Sequence, residues 1–488
     1  FYQSATLRPP PALGRRPPLT LAAMPPPAEA PSFAVGMKEL LFGTKLNVLL
    51  VCVPLAIGGS VLHLGDRLVF IASLLALCPL AERLGFVTEQ LAMYTNPTVG
   101  GLLNATFGNV TEMLVSILAI HRGLLRVVQL SLLGSVLSNL LLVLGTAFFC
   151  GGLRQKVQTF NTDVISANNA LLVLGALAIL LPAILDASGT ALHRVDDKGA
   201  DELALSRFSS VILLAVYFAY LYFQLVSHAD LFDEDGGAEE AGAGTATELT
   251  RLADDESRVG APDSPRPEAA PAAEKAGGGG DDDEEEEAVL GKGGSLFWLA
   301  VLTVLVALLS EYIVNTIETS AKEFGMPLAF VSTILLPIVG NAAEHASAII
   351  FAMKNKMDIA IGVAVGSSTQ ITVLAMPFAV VYAWAVGQPL TLDLLPFETA
   401  VFAFSILGTG LVLSHGRSTW LLGLAMLTMY VCLAGAFYLH DDGEHPHQIL
   451  GLQKAPPAAH KQLQYSRMAP PPPPAHKLQR VPRNHSRF

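Results

Sequence analysis

Charged residues are scarce in this chain of 488 residues, and cysteine is rarer still. Charged side chains make up 15% of the sequence and hydrophobic ones 52%, whereas soluble domains average about 25% charged residues. The four cysteines all fall in apolar runs without C-x-x-C spacing, so neither a disulfide framework nor a zinc site is supported. This composition excludes an ordinary soluble domain and favours a protein that lies in a membrane. The cysteines are Cys52, Cys78, Cys150 and Cys432.

Apolar runs of roughly twenty residues recur along most of the chain, and each is long enough to cross about 30 Å of hydrocarbon. We therefore predict an all-α polytopic membrane protein with about 11 transmembrane helices. The predicted spans are residues 46–64, 68–87, 97–120, 125–150, 167–187, 208–227, 296–318, 327–353, 357–384, 394–414 and 418–439.

Polar segments divide these runs into six regions. The segment 228–295 contains almost no large apolar residue, so it cannot bury a core and is predicted to be disordered. Much of the net charge of -12 comes from the tract Asp281–Glu287 in this segment, so the net charge does not indicate a binding partner. We expect the protein to bind no nucleic acid and no cofactor. The regions are a Pro-rich disordered tail (1–40), two transmembrane helices (41–95), the remainder of a first repeat (96–227), the acidic loop (228–295), a second repeat (296–440) and a low-complexity tail (441–488).

An internal repeat is the most informative feature of the sequence. The pattern Gly-Asn-x-x-Glu occurs at residues 108–112 and again at residues 340–344, an offset of 344 − 112 = 232. The same offset relates Gly134 to Gly366, each followed by serine. Because five predicted spans separate the two copies, the copies cross the bilayer in opposite directions. The sequence thus predicts an inverted repeat, which is common in secondary transporters.

A looser acidic pair precedes each copy of the motif. Glu82 and Glu89 are seven residues apart, as are Glu311 and Glu318, at an offset of 229. These four residues are candidate access-path acids. The alternative is that they are interfacial charges that reach water at the ends of spans.

The repeated glutamates are the candidate ion-binding residues. A carboxylate near the centre of an apolar span costs at least about 3 kcal/mol, and it usually faces a bundle interior or an aqueous cavity. A continuous helix would place Asn104 and Gly108 on one stripe with Glu112. Asn109 and Asn341 each stand three residues before a motif glutamate. Calcium prefers carboxylate, amide and carbonyl oxygens, so we predict that these glutamates and asparagines hold a divalent cation.

Helix breakers and small polar residues surround the motif. Pro337 and the Gly100-Gly101 pair are expected to loosen the two helices, so that carbonyl groups turn toward an ion. Polar residues near the motif and at the start of the following spans form a candidate supporting shell. The alternative for the serines is that they simply join helices by hydrogen bonds, and for the histidine that it packs. The shell comprises Asn104, Ser135, Ser138, Asn139, Ser367, Gln370 and His345.

Two opposed carboxylates also supply a proton site. Removal from water favours the protonated carboxyl group, whereas a bound divalent cation favours the ionised one, so protons and calcium compete for the same oxygens. We therefore predict that Glu112 and Glu344 couple calcium movement to proton movement without a second site.

Residues 101–112 and 340–346 closely resemble the two signature repeats of the vacuolar cation/proton exchangers, the calcium/proton antiporter family. The resemblance covers residues 40–440 without the acidic segment. It implies one extra N-terminal span followed by two inverted five-helix repeats, an acidic loop in the cytosol, and a vacuolar membrane. It also implies transport of calcium, and in some relatives manganese or other divalent cations. The family's ion-binding glutamates and supporting amides correspond here to Glu112, Glu344, Asn109, Asn341 and Gln370.

Three alternatives remain open at the level of sequence. A sodium/calcium exchanger shares the inverted repeat, although Ser/Thr-rich motifs are expected there. A calcium-permeable channel would use the paired glutamates as a selectivity filter, but such channels usually need several symmetric subunits. A membrane-anchored calcium buffer would depend on the acidic loop instead.

Overall fold

The computed structural model describes residues 33–188, 200–227 and 289–440, and the remaining parts of the predicted loop and tails lie outside these ranges. Within them the protein is helical except for two short strands. The helices are α1 (Phe33–Phe42), a 3-10 helix (Lys45–Val51), α2 (Cys52–Val61), α3 (Asp66–Ala92), α4 (Pro97–Phe107), α5 (Val110–Arg122), α6 (Leu125–Arg154), α7 (Thr162–Ser188), α8 (Ala200–Tyr222, extended by a π-helical turn Phe223–Ser227), α9 (Lys292–Phe324), α10 (Leu328–Gly340), α11 (Ala342–Met353), α12 (Met357–Ala385), α13 (Pro396–Leu413) and α14 (Trp420–Leu439).

The prediction of an all-α polytopic membrane protein is confirmed. In the described residues, eight helices are long and apolar enough to cross a membrane, or up to 10 if each of two bent helix pairs counts as one span. The bent pairs lie at residues 36–61 and 328–353. Every predicted span coincides with helix, and the predicted third span is occupied by α4 and α5.

Two region boundaries differ from the prediction. Helix α1 lies partly within the predicted tail, and α9 begins at Lys292, inside the predicted loop. The reason is contact between these segments: α1 packs so closely on the residues before α9 that a Cβ on Gly36 would collide with the side chain of Leu290. Sequence composition cannot report such a contact between distant segments.

Helices α3 and α9 pack side by side and run in opposite directions. At one end, Gln90 Oε1 accepts hydrogen bonds from the backbone N–H groups of Val289 (2.7 Å) and Leu290 (3.0 Å). At the other end, Arg67 forms an ion pair with Glu323 at 2.7 Å. We call these the loop end and the far end of the molecule. Helix α4 begins at the loop end and α10 begins at the far end, as an inverted repeat requires.

The helices that carry the repeated motif are broken. Helix α4 ends at Phe107 and α5 begins at Val110, while α10 and α11 meet at Asn341 with a bend of 55°. The predicted continuous stripe from Asn104 through Gly108 to Glu112 is therefore wrong. Gly100 and Gly101, expected to loosen the chain, lie inside the regular helix α4. Each helix breaks at its motif asparagine instead, because the backbone of Asn109 and Asn341 leaves helical geometry, with φ/ψ of -114°/19° and -93°/21°.

Local π-helical turns mark the helices beside these breaks. They occur in α6 at Ser138–Val143, in α12 at Ile371–Ala375 and in α10 at Val331–Leu335. The first two lie at matching places in the two halves. A π-helical turn frees backbone groups from the regular pattern and is frequent at functional sites. Outside the helices, β1 (Gln158–Thr159) pairs antiparallel with β2 (Arg417–Ser418).

Candidate ion-binding site

The two motif glutamates occupy equivalent positions after the helix breaks. Glu112 lies in the first turn of α5 and Glu344 in the first turn of α11. The N-terminus of a helix carries partial positive charge and favours a carboxylate, whereas the C-terminal ends of α4 and α10 offer carbonyl oxygens to a cation. Each helix break therefore presents both a glutamate carboxylate and backbone carbonyl oxygens.

The glutamates of the two halves are directed to a common region. Glu112 Oε1 lies 3.6 Å from the position that a Cβ would take on Gly340 of the second motif. Glu344 Oε2 is buried and has no hydrogen-bond partner. The absence of a side chain at Gly340 leaves the carboxylate of Glu112 facing backbone of the opposite half.

The motif asparagines join the two halves. Asn109 is 2% exposed and donates from Nδ2 to Gln370 Oε1 of α12. Asn341 is 0% exposed and donates from Nδ2 to the carbonyl of Ser135 in α6, at 3.3 Å. The Asn341 Oδ1 atom is buried without a hydrogen-bond partner. The side-chain amide of each asparagine thus donates a hydrogen bond to the opposite half. The amide oxygen of Asn341 has no hydrogen-bond partner.

A third contact across the halves involves Asn139, in the π-helical turn of α6. Its Nδ2 donates to Ser367 Oγ of α12 at 3.0 Å. Its Oδ1, like that of Asn341, is buried and unpartnered. Buried polar atoms nearly always have a partner, so these two amide oxygens are available to accept a hydrogen bond or to coordinate an ion.

Three members of the predicted shell take no part in the hydrogen bonds that the motif asparagines and Asn139 form across the halves. Asn104 is half-buried in α4, and its carbonyl accepts the backbone N–H of Gly108. Ser138 is fully buried in the α6 π-helical turn. The ring of His345 hydrogen-bonds to the backbone of Leu142. The contact of His345 favours the packing alternative for that residue.

The four predicted access-path acids lie in different surroundings. Glu82 is 2% exposed and pairs with Arg83. Glu89 is also buried, whereas Glu318 is exposed. Glu311 forms an ion pair with Arg122 at 3.3 Å. The access-path role of these acids stays a prediction.

Sequence reasoning missed two buried ion pairs. Arg83 is fully buried and donates from Nε to Glu82 Oε2 at 2.8 Å, an oxygen that also accepts from Thr44 Oγ1. Arg126 donates from Nη1 to the fully buried Glu398 at 2.9 Å. The available signal was the arginine itself, because a charge within an apolar run requires a partner.

The described residues contain no cluster of three or more histidine, cysteine, aspartate or glutamate side chains that could hold a metal ion. A site at Glu112 and Glu344 is therefore completed by amide, carbonyl, hydroxyl or water oxygens. Hard cations such as calcium accept this mixture, whereas zinc prefers nitrogen and sulfur. The oxygens at the two breaks thus fit a calcium-like ion as cargo.

Comparison with known proteins agrees with this geometry. The family model described as sodium/calcium exchanger protein matches residues 67–226 and 294–439. The chain is 44% identical over 428 residues to vacuolar cation/proton exchanger 2 of Arabidopsis thaliana, covering 87% of each protein. It is 44% identical over 411 residues to vacuolar cation/proton exchanger 3 of Oryza sativa subsp. japonica, covering 83% of this chain and 88% of the relative.

Solved structures show the same fold. The Ca2+/H+ antiporter protein YfkE matches with a TM-score of 0.60 and 30% identity, over 81% of this chain and 99% of that one. The H+/Ca2+ exchanger CAX matches with a TM-score of 0.57 over 84% of this chain and 93% of that one; at 13% identity it supports the fold alone. The chain therefore belongs to the vacuolar cation/proton exchanger family, within the sodium/calcium exchanger superfamily, and is a transporter rather than an enzyme.

Proposed function

We propose that this protein is a secondary antiporter that exchanges Ca2+ for H+ and binds both at Glu112 and Glu344. The observation that carries the proposal is the position of the two motif carboxylates: Glu112 Oε1 lies 3.6 Å from the position of a Cβ on Gly340 of the opposite motif, and Glu344 Oε2 is buried without a hydrogen-bond partner. The names of the relatives support the same exchange. Manganese and other divalent cations are further candidate substrates.

The chemistry follows from the competition for oxygens. When both carboxylates are ionised, they repel each other, and a divalent cation between them removes that repulsion. Asn109, Asn341 and the carbonyl groups at the breaks supply neutral oxygens for the remaining coordination. When both carboxyl groups are protonated, the site carries no charge and can change its access without an ion. Calcium and protons therefore move in opposite directions through one site.

We place this exchanger in the vacuolar membrane, with the loop end of the molecule in the cytosol. The vacuolar assignment follows the names of the relatives, and the orientation follows the resemblance of the motifs. An acidic lumen then supplies the protons that drive calcium into the vacuole. Labelling of an epitope inserted within residues 232–287 on intact vacuoles tests the orientation, because only a cytosolic segment is accessible without permeabilisation.

Sealed, inside-acid vesicles test the proposed site. The wild type should take up calcium without sodium when the pH gradient is applied, and the uptake should stop when the gradient is dissipated. We expect Glu112→Gln and Glu344→Gln to lose at least about 100-fold in initial rate, because neither neutral amide can bind and release a proton. The purified variants should keep the elution profile of the wild type.

Glu323→Gln is the matched control for these variants. Glu323 is an exposed glutamate of helix α9 that pairs with the exposed Arg67, so its neutralisation should leave proton-driven uptake within about 2-fold of the wild type. Wild-type uptake by both motif variants would remove the proposed site.

Two of the alternatives give different results in the same vesicles. An absolute requirement for sodium would identify a sodium/calcium exchanger. Calcium flux that ignores the pH gradient would identify a channel. The antiporter predicts neither result, because its only driving ion is the proton.

The calcium-buffer alternative is tested by deletion. Val289 and Leu290 hold the start of α9 through Gln90, so the deletion must end before residue 289. A variant lacking residues 232–287 should keep proton-driven uptake. Loss of uptake by this well-folded variant would favour a role for the acidic loop in transport itself.

A further inference from the structure

Helix α8 lies at the periphery of the molecule, with one face exposed and one face packed. Phe218 and Tyr222 are exposed, whereas Leu213 is buried on the packed face and Tyr220 is half-buried. The Tyr220 hydroxyl donates a hydrogen bond to Asn168 Oδ1 of α7 at 2.6 Å. Phenylalanine would supply the same ring to the packing, so what tyrosine adds at this position is the hydrogen bond.

The hydrogen bond of Tyr220 begins a series of contacts that leads through α7 to α12. The backbone carbonyl of Asn168 accepts a hydrogen bond from Thr369 Oγ1 of α12 at 3.3 Å, and Thr369 is buried. Gln370 follows directly and accepts the hydrogen bond that Asn109 of the first motif donates. The series therefore connects a residue of the peripheral helix with the asparagine of the first motif.

Close packing between α7 and α12 strengthens this connection. Gly175 lies seven residues after Asn168 and therefore on the same face of α7. A Cβ on Gly175 would lie 2.7 Å from Val373 Cγ1 and 3.1 Å from Thr372 Cγ2, in the π-helical turn of α12. Helix α7 thus contacts α12 one residue before Gln370 and again two and three residues after it, so the position of α7 determines the position of Gln370.

The end of α8 also contacts α4, the helix that precedes the first break. A Cβ on Gly101 of α4 would lie 2.5 Å from Leu225 Cδ2, and Leu225 lies in the π-helical turn five residues after Tyr220. Close-packed elements transmit displacements to one another. Helix α8 therefore supports the first motif from two sides, directly through α4 and indirectly through α7 and α12.

We propose that Tyr220 is a positioning residue for calcium binding. Its hydroxyl holds α7 through Asn168, and α7 in turn holds the part of α12 where Gln370 keeps the amide of Asn109 in place. The inference rests on the proposed function, because it assigns Tyr220 a role at the site that binds calcium there. Tyr220 acts through other residues, so we expect it to affect the affinity for calcium and not the proton chemistry of the glutamates.

The first test removes the hydroxyl and keeps the ring. Tyr220→Phe takes the donor away from Asn168 Oδ1, which loosens α7. In sealed, inside-acid vesicles, we expect the calcium concentration at half-maximal uptake to rise about 3- to 10-fold while the maximal rate stays within about 2-fold of the wild type. Tyr222→Phe is the matched control, because it removes the hydroxyl of an exposed tyrosine of the same helix; it should keep the wild-type concentration.

The second test determines whether Tyr220 acts through Gln370. Gln370→Ala removes the acceptor of the Asn109 hydrogen bond, so the position of residue 370 no longer affects the asparagine. Tyr220→Phe should therefore raise the half-maximal calcium concentration in the wild-type background and not in the Gln370→Ala background. A hydroxyl that only stabilised the fold would lower the melting temperature in both backgrounds and leave the half-maximal concentration unchanged.

The third test breaks the contact between α12 and α7. Thr369→Val removes the hydroxyl that reaches the Asn168 carbonyl, and it should raise the half-maximal concentration as Tyr220→Phe does. Thr369→Ser keeps the hydroxyl and should restore the wild-type concentration. Ser368→Ala is the matched control, because the buried hydroxyl of Ser368 donates to the Ala364 carbonyl of its own helix; it should have no effect on the half-maximal concentration.

Two outcomes would overturn the assignment of Tyr220. One is a half-maximal calcium concentration of Tyr220→Phe equal to that of the Tyr222→Phe control, whatever its maximal rate. The other is a full effect of Tyr220→Phe in the Gln370→Ala background. Failure of the proposed function would be visible separately, as wild-type vesicles without proton-driven calcium uptake, and it would remove this inference as well.

Discussion

The two halves of the molecule carry related acids in opposite surroundings. Glu82 of the first half pairs with Arg83, and both are almost completely buried. Its counterpart Glu311 pairs with Arg122, and the two side chains are 46% and 53% exposed. A buried ion pair depends strongly on both partners, whereas an exposed pair contributes little to stability. The repeat therefore predicts where an acidic residue lies in each half, but it does not predict how much that residue contributes to stability.

At the proposed ion-binding site the halves remain alike. Asn109 reaches α12 and Asn341 reaches α6, so each motif is held by the opposite half. Farther from the site, α10 is packed and buried while α4 is largely half-exposed. The two halves therefore share the hydrogen bonds that hold the motif asparagines. They differ in how tightly α4 and α10 are packed.

The largest expected effect comes from breaking the buried pair. Arg83→Leu leaves the Glu82 carboxylate buried without its partner, and we expect a loss of about 3–5 kcal/mol in the free energy of unfolding. Arg122→Leu should cost at most about 1 kcal/mol. Thermal denaturation in one detergent compares the two variants. Equal melting temperatures would contradict the contrast between the halves.

The next effect concerns the equivalent glycines. Gly134→Ala forces a methyl group onto the Thr333 carbonyl, and overpacking of this kind costs about 1–3 kcal/mol. Gly366→Ala enters open space, and alanine is the better helix former by up to about 1 kcal/mol, so this variant should be as stable as the wild type or more so. The same melting experiment decides; destabilisation of both variants to the same extent would remove the asymmetry.

A smaller effect is expected for the contacts across the halves. The coupling energy between Asn109 and Gln370 should be about 0.5–1.5 kcal/mol, because the bond joins two neutral amides. A double-mutant cycle with Asn109→Ala, Gln370→Ala and the combined variant measures it from the calcium concentration at half-maximal uptake. Additive effects of the two substitutions would show that the bond does not act on binding.

The smallest effect concerns the start of α4. Asn96 caps this helix by accepting a hydrogen bond from the Val99 N–H at 2.8 Å, whereas α10 follows Pro327 without a side-chain cap. Because Asn96 is exposed, Asn96→Ala should cost about 0.5 kcal/mol, the low end for a helix cap, and Asn96→Ser should restore most of it. Protection of the α4 amides from hydrogen exchange measures the change. Unaltered protection in Asn96→Ala would show that the cap does not hold the helix.

The sequence was sufficient to predict the helices, because apolar runs of membrane length are a local signal. The repeat also predicted equivalent positions for the two motif glutamates, which begin α5 and α11, while their role in ion binding stays a prediction. It was not sufficient to predict the breaks at Asn109 and Asn341. Those breaks coincide with hydrogen bonds between residues 261 and 206 positions apart, while the flanking residues remain good helix formers. Arg83 was itself a signal in the sequence, but its complete burial beside Glu82 depends on packing that only the fold shows.

The anchors at the loop end have a practical consequence. On one side Leu225 packs against Gly101, and on the other Gln90 binds the backbone of Val289 and Leu290. The described residues on both sides of the segment 228–288 are thus held by contacts with other helices. We therefore expect that a fluorescent calcium reporter inserted within the segment leaves the packing of α8 and α9 unchanged.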